Sequence, residues 1–337
     1  MRLFIAAIAA LFVFSLAHAA DRLTLGNEAW PPYIKEGPEK GTAEALVCEA
    51  LNRAGWDCSV ELDDWENVLR RGSQGEIDGI AAAWRTPERE RSFMFSNAYL
   101  TNRIVPAVTA GSDIDIKNIN DLAGYRVAMN TAYAYGSEIE ANRNSFEVVP
   151  VEGSGAGITA LREGRADIAL IDELVARDLF GEATDIVIKD TVLTYRELHF
   201  AVSRKHPQAS EIIDGFHRTF ELMLQDGTVN RILDIQWLVT DLGNDGTLDL
   251  VLGGNASLEG LSDPLAGQST YALGQSEHNR MRQEGLDTSE LKFQVKGQSH
   301  SDLNSALNSA FGENTSCRHV DWSSTFKCSL PTVPVRD

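Results

Sequence analysis

The chain has 337 residues, 43% of them apolar and 23% charged, enough of each to bury cores and remain in solution. At about 100 to 200 residues per domain it holds more than one compact unit, which excludes a single small module. It carries 49 Asp and Glu against 30 Lys and Arg, a formal net charge of −19 at pH 7. That sign excludes a binder of the nucleic-acid backbone, which needs clustered basic charge, and it disfavours an anionic lipid surface.

Met1 and Arg2 precede an apolar run over residues 3–17 that ends in Ala17-His18-Ala19, with small residues at the −3 and −1 positions of a cut. A signal peptide over residues 1–19 is expected. The competing membrane anchor would need roughly 20 apolar residues, and the run falls short. Export to an oxidising compartment permits disulfides. Four cysteines allow three connectivities, of which the sequence-local one pairs Cys48 with Cys58 and Cys317 with Cys328. Zinc is the weaker use of these residues, because no C-x-x-C or H-x-x-x-H spacing accompanies them.

Residues 22–26 alternate apolar and polar; Leu46, Val47, Ala50, Leu51 and Ala54 recur at helical spacing; Val60 and Leu62 alternate again. A β-α-β unit is expected there, then a helix over 66–71 and a strand over 77–84. After Gly124 the pattern restarts, with strands at 126–129, 146–151 and 167–171 and helices at 135–142 and 158–162. Two separate α/β sheets are implied. Ile212, Phe216, Phe220 and Met223 mark a long amphipathic helix that stops near Gly227. Past Trp237 the composition turns to Gly, Asn, Ser and Asp, with a helix-like stretch only at 303–311. A boundary near 240 is expected, with a loop-rich appendage of unknown fold over 241–337.

Seven short motifs follow one another along the first part of the chain. They are Trp30-Pro31-Pro32-Tyr33, Gly75-Glu76-Ile77-Asp78, Thr86-Pro87-Glu88-Arg89, Phe95-Ser96-Asn97-Ala98-Tyr99, Asp121-Leu122-Ala123-Gly124, Gly164-Arg165-Ala166-Asp167 and Asp226-Gly227-Thr228. In this order they resemble the family 3 periplasmic solute-binding proteins, the receptors of polar amino-acid ABC importers, over residues 22–240. The resemblance implies a periplasmic, two-lobed α/β fold of the type with two hinge strands, lobe 1 being 20–106 plus 200–240 and lobe 2 being 107–199. The crossings would be 104–109 and 198–202. A small solute would bind in the cleft and favour the closed form, and a monomer handing the solute to an ABC permease is expected.

The same resemblance assigns the cleft. Arg89 aligns with the carboxylate-binding arginine, whose guanidinium fork can hold both oxygens; otherwise it is a helix-start arginine pairing Glu88 or Glu90. Asp172 aligns with the amine-binding aspartate, and it is also placed to cap the following helix. Glu173 could cap or face the cleft. Trp30 and Trp65 fall where two flanking residues sandwich the solute. Trp84 stands where a hydroxyl residue is usual, after Ala81, Ala82 and Ala83, a departure that exchanges donors for aromatic surface. Such rings suit a flat or cationic solute, at about 0.5 to 2 kcal/mol per cation–π contact. Thr131, Tyr133 and Tyr135 lie in a turn leading into a helix, where backbone N–H groups can hold a carboxylate. Asn27 and Glu28 face the same cleft by analogy.

Other motifs carry less. Gly153-Ser154-Gly155-Ala156-Gly157 lacks the dinucleotide spacing, and no Walker loop, G-x-S-x-G or H-E-x-x-H occurs, so no cofactor is expected. Asp241, Asp245 and Asp249 are spaced as in a calcium loop, with Gly246 at its sixth position. The third and twelfth positions lack their usual ligands, which favours a structural loop. Two further functions stay open beside transport. One is acid chemistry of the cyclohexadienyl dehydratase kind, using Glu173 or Glu28. The other is a sensor or adaptor for a membrane partner.

Overall fold

The computed structural model describes residues 21–253 except 154, then 254, 256, 270–274, 277, 291–312, 316–319 and 326–329. The leader expected over 1–19 lies outside these residues. Among them, no helix is long and apolar enough to cross a membrane.

The opening β-α-β unit forms as its periodicity requires. Strand β1 (Asp21–Asn27) runs parallel to β2 (Trp56–Leu62), with α1 (Thr42–Arg53) between them. The α1 stripe buries Leu46, Val47, Ala50 and Leu51 against the sheet and against α6 (Ala209–Gln225). Cys48 of α1 is bonded to Cys58 of β2, with 5.2 Å between Cα atoms. Helix α2 (Trp65–Gln74) ends on Gly75 at φ +76°, a left-handed cap that glycine adopts without strain. The chain then turns into β3 (Gly79–Trp84), and Asp78 accepts the Thr24 N–H at 2.7 Å, tying that turn to β1.

The long strand β4 (Phe93–Thr109) and β9 (Thr194–Ser203) are antiparallel partners that pass from one half of the molecule to the other. In the far half lie β5 (Arg126–Asn130), α3 (Ser137–Ala141), β6 (Glu147–Val151), α4 (Ala156–Arg162), β7 (Ile168–Asp172), α5 (Glu173–Phe180) and β8 (Ile186–Ile188). The sequence implies two sheets; hydrogen bonding instead gives one nine-stranded sheet, with eight strands in the order β2-β1-β3-β9-β4-β7-β5-β6 and β8 paired to β4 off that path. Continuity comes from β4 and β9 themselves.

The crossing points also differ from expectation. Residues 198–202 lie within the near half, paired with β3 from Trp84↔Leu198 to Gly79↔Val202, and residues 104–107 lie within the far half, paired with β7. The neck between halves is the pair of segments 100–103 and 195–197, read as Thr101↔Glu197, Asn102↔Arg196 and Arg103↔Tyr195. Apolar runs marked strands covered on both faces. A two-stranded neck has fewer neighbours, so its sequence is polar.

Helices α6 and α7 (Thr228–Leu233) return to the near half, and the chain enters a second sheet. That sheet contains β10 (Trp237–Thr240), β11 (Asp249–Leu252), β12 (Thr270–Ala272), β13 (Lys292–Val295) and β14 (Gln298–His300) in the order β12-β10-β11-β13-β14. Helix α8 (Leu303–Phe311) packs on it, around a core that includes Trp237, Leu250, Phe293 and Leu307. The described residues beyond 240 thus share a core of their own with β10, the first strand of this sheet, which begins at Trp237. Strands β15 (Ser316–His319) and β16 (Phe326–Ser329) set Cys317 opposite Cys328 in an antiparallel ladder, and the bond expected there lies outside the described side chains.

The Asp-rich loop does not gather its acids around a metal. Asp241 accepts from the N–H groups of Asp245 and Gly246, and Asp249 from Leu242 N and Gln294 Nε2. Asp245 accepts from Thr247 N and binds the Lys292 ammonium at 2.8 Å, which draws its pKa down to about 2. Lysine supplies the positive charge locally. Among the described residues no group of three or more His, Cys, Asp and Glu is arranged to hold a metal ion.

Candidate functional site

Strand ends on both sides of the neck converge on a cleft filled with rings. From the near half, Trp30 follows β1 and Trp84 ends β3; from the far half, Tyr133 and Tyr135 follow β5. Ring centroids are 5.7 Å apart for Trp30 and Trp84, 5.4 Å for Trp84 and Tyr133, 6.2 Å for Trp30 and Tyr133, and 6.0 Å for Trp84 and Tyr135. The tilted and edge-on geometries are those that aromatic quadrupoles favour.

Trp30, Trp84 and Tyr133 line two adjoining chambers. One, a cavity of about 20 Å³, is completed by Asn27, Glu28, Trp65, Ala82, Ala83 and Arg89. The other, also about 20 Å³, is lined by Asp172 and Tyr135 with Asn130, Leu170 and Val175. Arg89 and Asp172, expected to close on one guest, thus serve different chambers. The large indole of Trp84 forms part of the wall between them.

In the first chamber the Arg89 guanidinium lies 5.0 Å from the Trp65 ring centroid. Its Nη1 donates to Trp84 O at 2.7 Å and its Nη2 to Ala132 O at 3.4 Å, a bond from one half to the other. Among the described residues it makes no ion pair, so the helix-start pairing with Glu88 or Glu90 does not form. Burial, aided by the Arg196 charge, lowers its pKa to about 10. Glu28 shares the chamber; burial raises its carboxyl, and a hydrogen bond from Tyr133 and the Arg89 charge partly offset this. Asn27 uses its oxygen on Ala82 N–H at 2.8 Å, which fixes β1 to β3 under the chamber. The indole N–H of Trp65 is buried without a hydrogen-bond partner among the described residues.

In the second chamber Asp172 Oδ1 accepts from Val175 N at 3.0 Å, the helix cap expected of it, and from the Tyr33 hydroxyl at 3.1 Å. Its Oδ2 is buried without a hydrogen-bond partner, and the Asn102 carboxamide lies beside it without completing one. Burial pushes its pKa up to about 6, against the lowering effect of Val175, Tyr33 and Asn102. Tyr135 is buried and its hydroxyl accepts from Asn130 N at 3.1 Å. Glu173 faces neither chamber; it binds Arg103 at 2.6 Å and Arg177 at 2.8 Å. Thr131 is exposed and lines neither chamber, because the turn after β5 presents Tyr133 to the cleft instead.

Three cleft residues escape the sequence patterns. Tyr33 belongs to a quoted motif but its reach to Asp172 spans 139 residues. Asn102 is fully buried in the neck, where its Oδ1 accepts the Trp84 indole N–H at 2.6 Å. Arg196, paired with it in register, lies 5.8 Å from the Trp84 ring centroid. A buried Asn inside a strand was the available signal, since such a carboxamide needs a partner.

Comparisons with known proteins agree with this architecture. The probable amino-acid ABC transporter-binding protein of Haemophilus influenzae is 23% identical over 232 residues, covering 65% of this chain and 86% of that protein. The L-cystine-binding protein TcyJ of Escherichia coli is 22% identical over 226 residues, covering 65% and 84%. Among solved structures, holo ArgBP from T. maritima has a TM-score of 0.54 at 23% identity, covering 63% of this chain and 95% of that one. An ancestral arginine-binding protein bound to arginine has a TM-score of 0.57 at 22% identity, covering 64% and 98%. These structural likenesses establish the two-lobed fold. The sequence profile of the bacterial extracellular solute-binding proteins, family 3, matches residues 23–240 and stops where the second sheet continues. The chain belongs to the bacterial extracellular solute-binding proteins, family 3.

Proposed function

We propose that the protein captures a small amino-acid-like solute, cationic or aromatic in its side chain, in the periplasm and delivers it to an ABC importer. The observation that carries this is Arg89, a half-buried guanidinium whose hydrogen bonds, among the described residues, go only to backbone carbonyls. Glu88 and Glu28 act on that charge through space without pairing it, and a solute carboxylate would supply a direct ion pair to the guanidinium. Glu28, across the same chamber, is the acid for the solute's cationic group, and Trp30, Trp65 and Tyr133 offer ring faces to its body. Asp172 offers a second acid one chamber away, reached past Trp84. Relatives named for cystine and for arginine fit a solute with ammonium or guanidinium groups. Export through the leader at 1–19 would place the receptor where such solutes arrive.

Binding is favoured over catalysis because Glu173, one of the two acids considered as proton donors, is held between two arginines. The test is a titration of tryptophan emission with L-arginine, L-cystine, L-histidine and L-tyrosine, on wild-type protein and Arg89→Gln, with a phenylpyruvate assay on prephenate alongside. A saturable response that the variant loses supports the proposal. Phenylpyruvate formation without any response to amino acids would replace it with the enzymatic one.

A further inference from the structure

We propose that the C-terminal module braces the two-stranded neck, with Tyr271 as the positioning residue that sets where Asn102 and Trp84 stand in the cleft. The proposal extends the solute-binding function just argued and concerns the part of the chain that the family profile does not cover.

Between 100 and 103, β4 has β9 on one side, and the pairing to β7 begins only at Ile104. The other edge of this stretch would leave backbone groups open, as sheet edges do. Tyr271 closes it. Its hydroxyl accepts from Thr101 N at 2.8 Å and donates to Thr101 O at 3.0 Å, so one phenol satisfies both backbone groups of one neck residue. The Thr101 hydroxyl donates in turn to Leu273 O at 2.7 Å. Burial raises the phenol's pKa to about 12, so the proton that makes the second bond stays in place at ordinary pH.

The brace has a fixed base. Tyr271 lies on β12, in register with Leu238 of β10, and Leu273 N donates to Val239 O at 2.9 Å. Asn230 of α7 donates to Val251 O at 2.8 Å, and Gly253 N to Gln236 O at 2.9 Å, which tie the module to the near half. Successive strand residues point to opposite faces. With Thr101 held toward the module, Asn102 is turned to the cleft, where it accepts the Trp84 indole N–H and lies beside Asp172. A displacement of Thr101 therefore passes directly to the wall between the two chambers.

Tyr271→Phe keeps the ring and removes only the oxygen. Nuclear magnetic resonance should show the Thr101 amide exchanging about five- to tenfold faster, the loss expected for one buried hydrogen bond, with the melting of the near half preserved. The Trp84 indole N–H resonance, assigned by its loss in Trp84→Phe, should shift. Thr101→Val, which removes only the bond to Leu273, should change both in the same direction by less. An unchanged Thr101 exchange rate would overturn the brace. A faster exchange with an unmoved Trp84 resonance would overturn the positioning role. Neither readout needs a solute, so failure of every amino acid to bind would count against the proposed function and leave these two results to decide the inference. Where a solute binds, its dissociation rate should rise several-fold in Tyr271→Phe, and an identical rate would also refute the role.

Discussion

Replacing Asp172 by Asn tests how its environment is read. The carboxyl would ordinarily titrate near 3.8, and burial raises it to about 6 in the fold. Between those values the folded protein binds more protons than the unfolded chain, so stability falls as pH rises from about 4 to about 6 and stays lowered above that. At about 1.36 kcal/mol for each tenfold change in proton affinity, the ionised carboxylate costs roughly 3 kcal/mol at neutral pH. Asn keeps the oxygen that caps Val175 N–H and accepts from Tyr33, while its new amide meets the Asn102 carboxamide less well. Asp172→Asn should therefore be more stable than wild type by about 1 to 3 kcal/mol at pH 7.5 and nearly equal to it at pH 4. Urea denaturation followed by tryptophan emission at several pH values measures this. A variant that is less stable at pH 7.5, or a difference that does not change with pH, would refute the reasoning.

Other outcomes follow from the same geometry. Arg89→Gln should weaken the solute response at least about 30-fold while leaving the protein folded, since a buried charge pair loses one member; calorimetric titration reads it, and unchanged affinity would remove Arg89 from the site. Cys48→Ser with Cys58→Ser should lower stability by about 2 to 3 kcal/mol, as expected for a short closed loop; a variant as stable as wild type would deny the bond a role. Lys292→Met should return the Asp245 carboxyl upward from about 2, seen by carbon-13 resonance, and millimolar calcium should leave the melting of wild type unchanged. A calcium-dependent rise in melting would restore a metal site to that loop.

Much of the near half was legible because its cues are local. The Leu23 and Leu25 alternation, the α1 stripe and Gly75 each act within a few residues, and the motif order carried the family. Seven of the ten expected cleft residues, Asn27, Glu28, Trp30, Trp65, Trp84, Arg89 and Tyr133, line the first chamber. What stayed hidden depends on distant partners. The orientation of Trp84 depends on Asn102, in the neck, which holds its indole N–H. Thr131 was placed on the cleft by its position in a turn, but turn torsions decide which side chain points inward. Strand β10 shows no alternation because all four of its residues are buried, so it read as the close of one unit rather than the start of the next sheet. Tyr271 sits on a three-residue strand, too short to leave a period, and its partner is 170 residues away.

Native mass spectrometry of the protein purified without refolding tests the central claim most directly. The account predicts a retained or added mass of one amino-acid-sized solute in wild type, absent from Arg89→Gln and restored in Arg89→Lys only in part. A wild-type spectrum that stays free of added mass across the full set of amino acids, or the same adduct in Arg89→Gln, would contradict it.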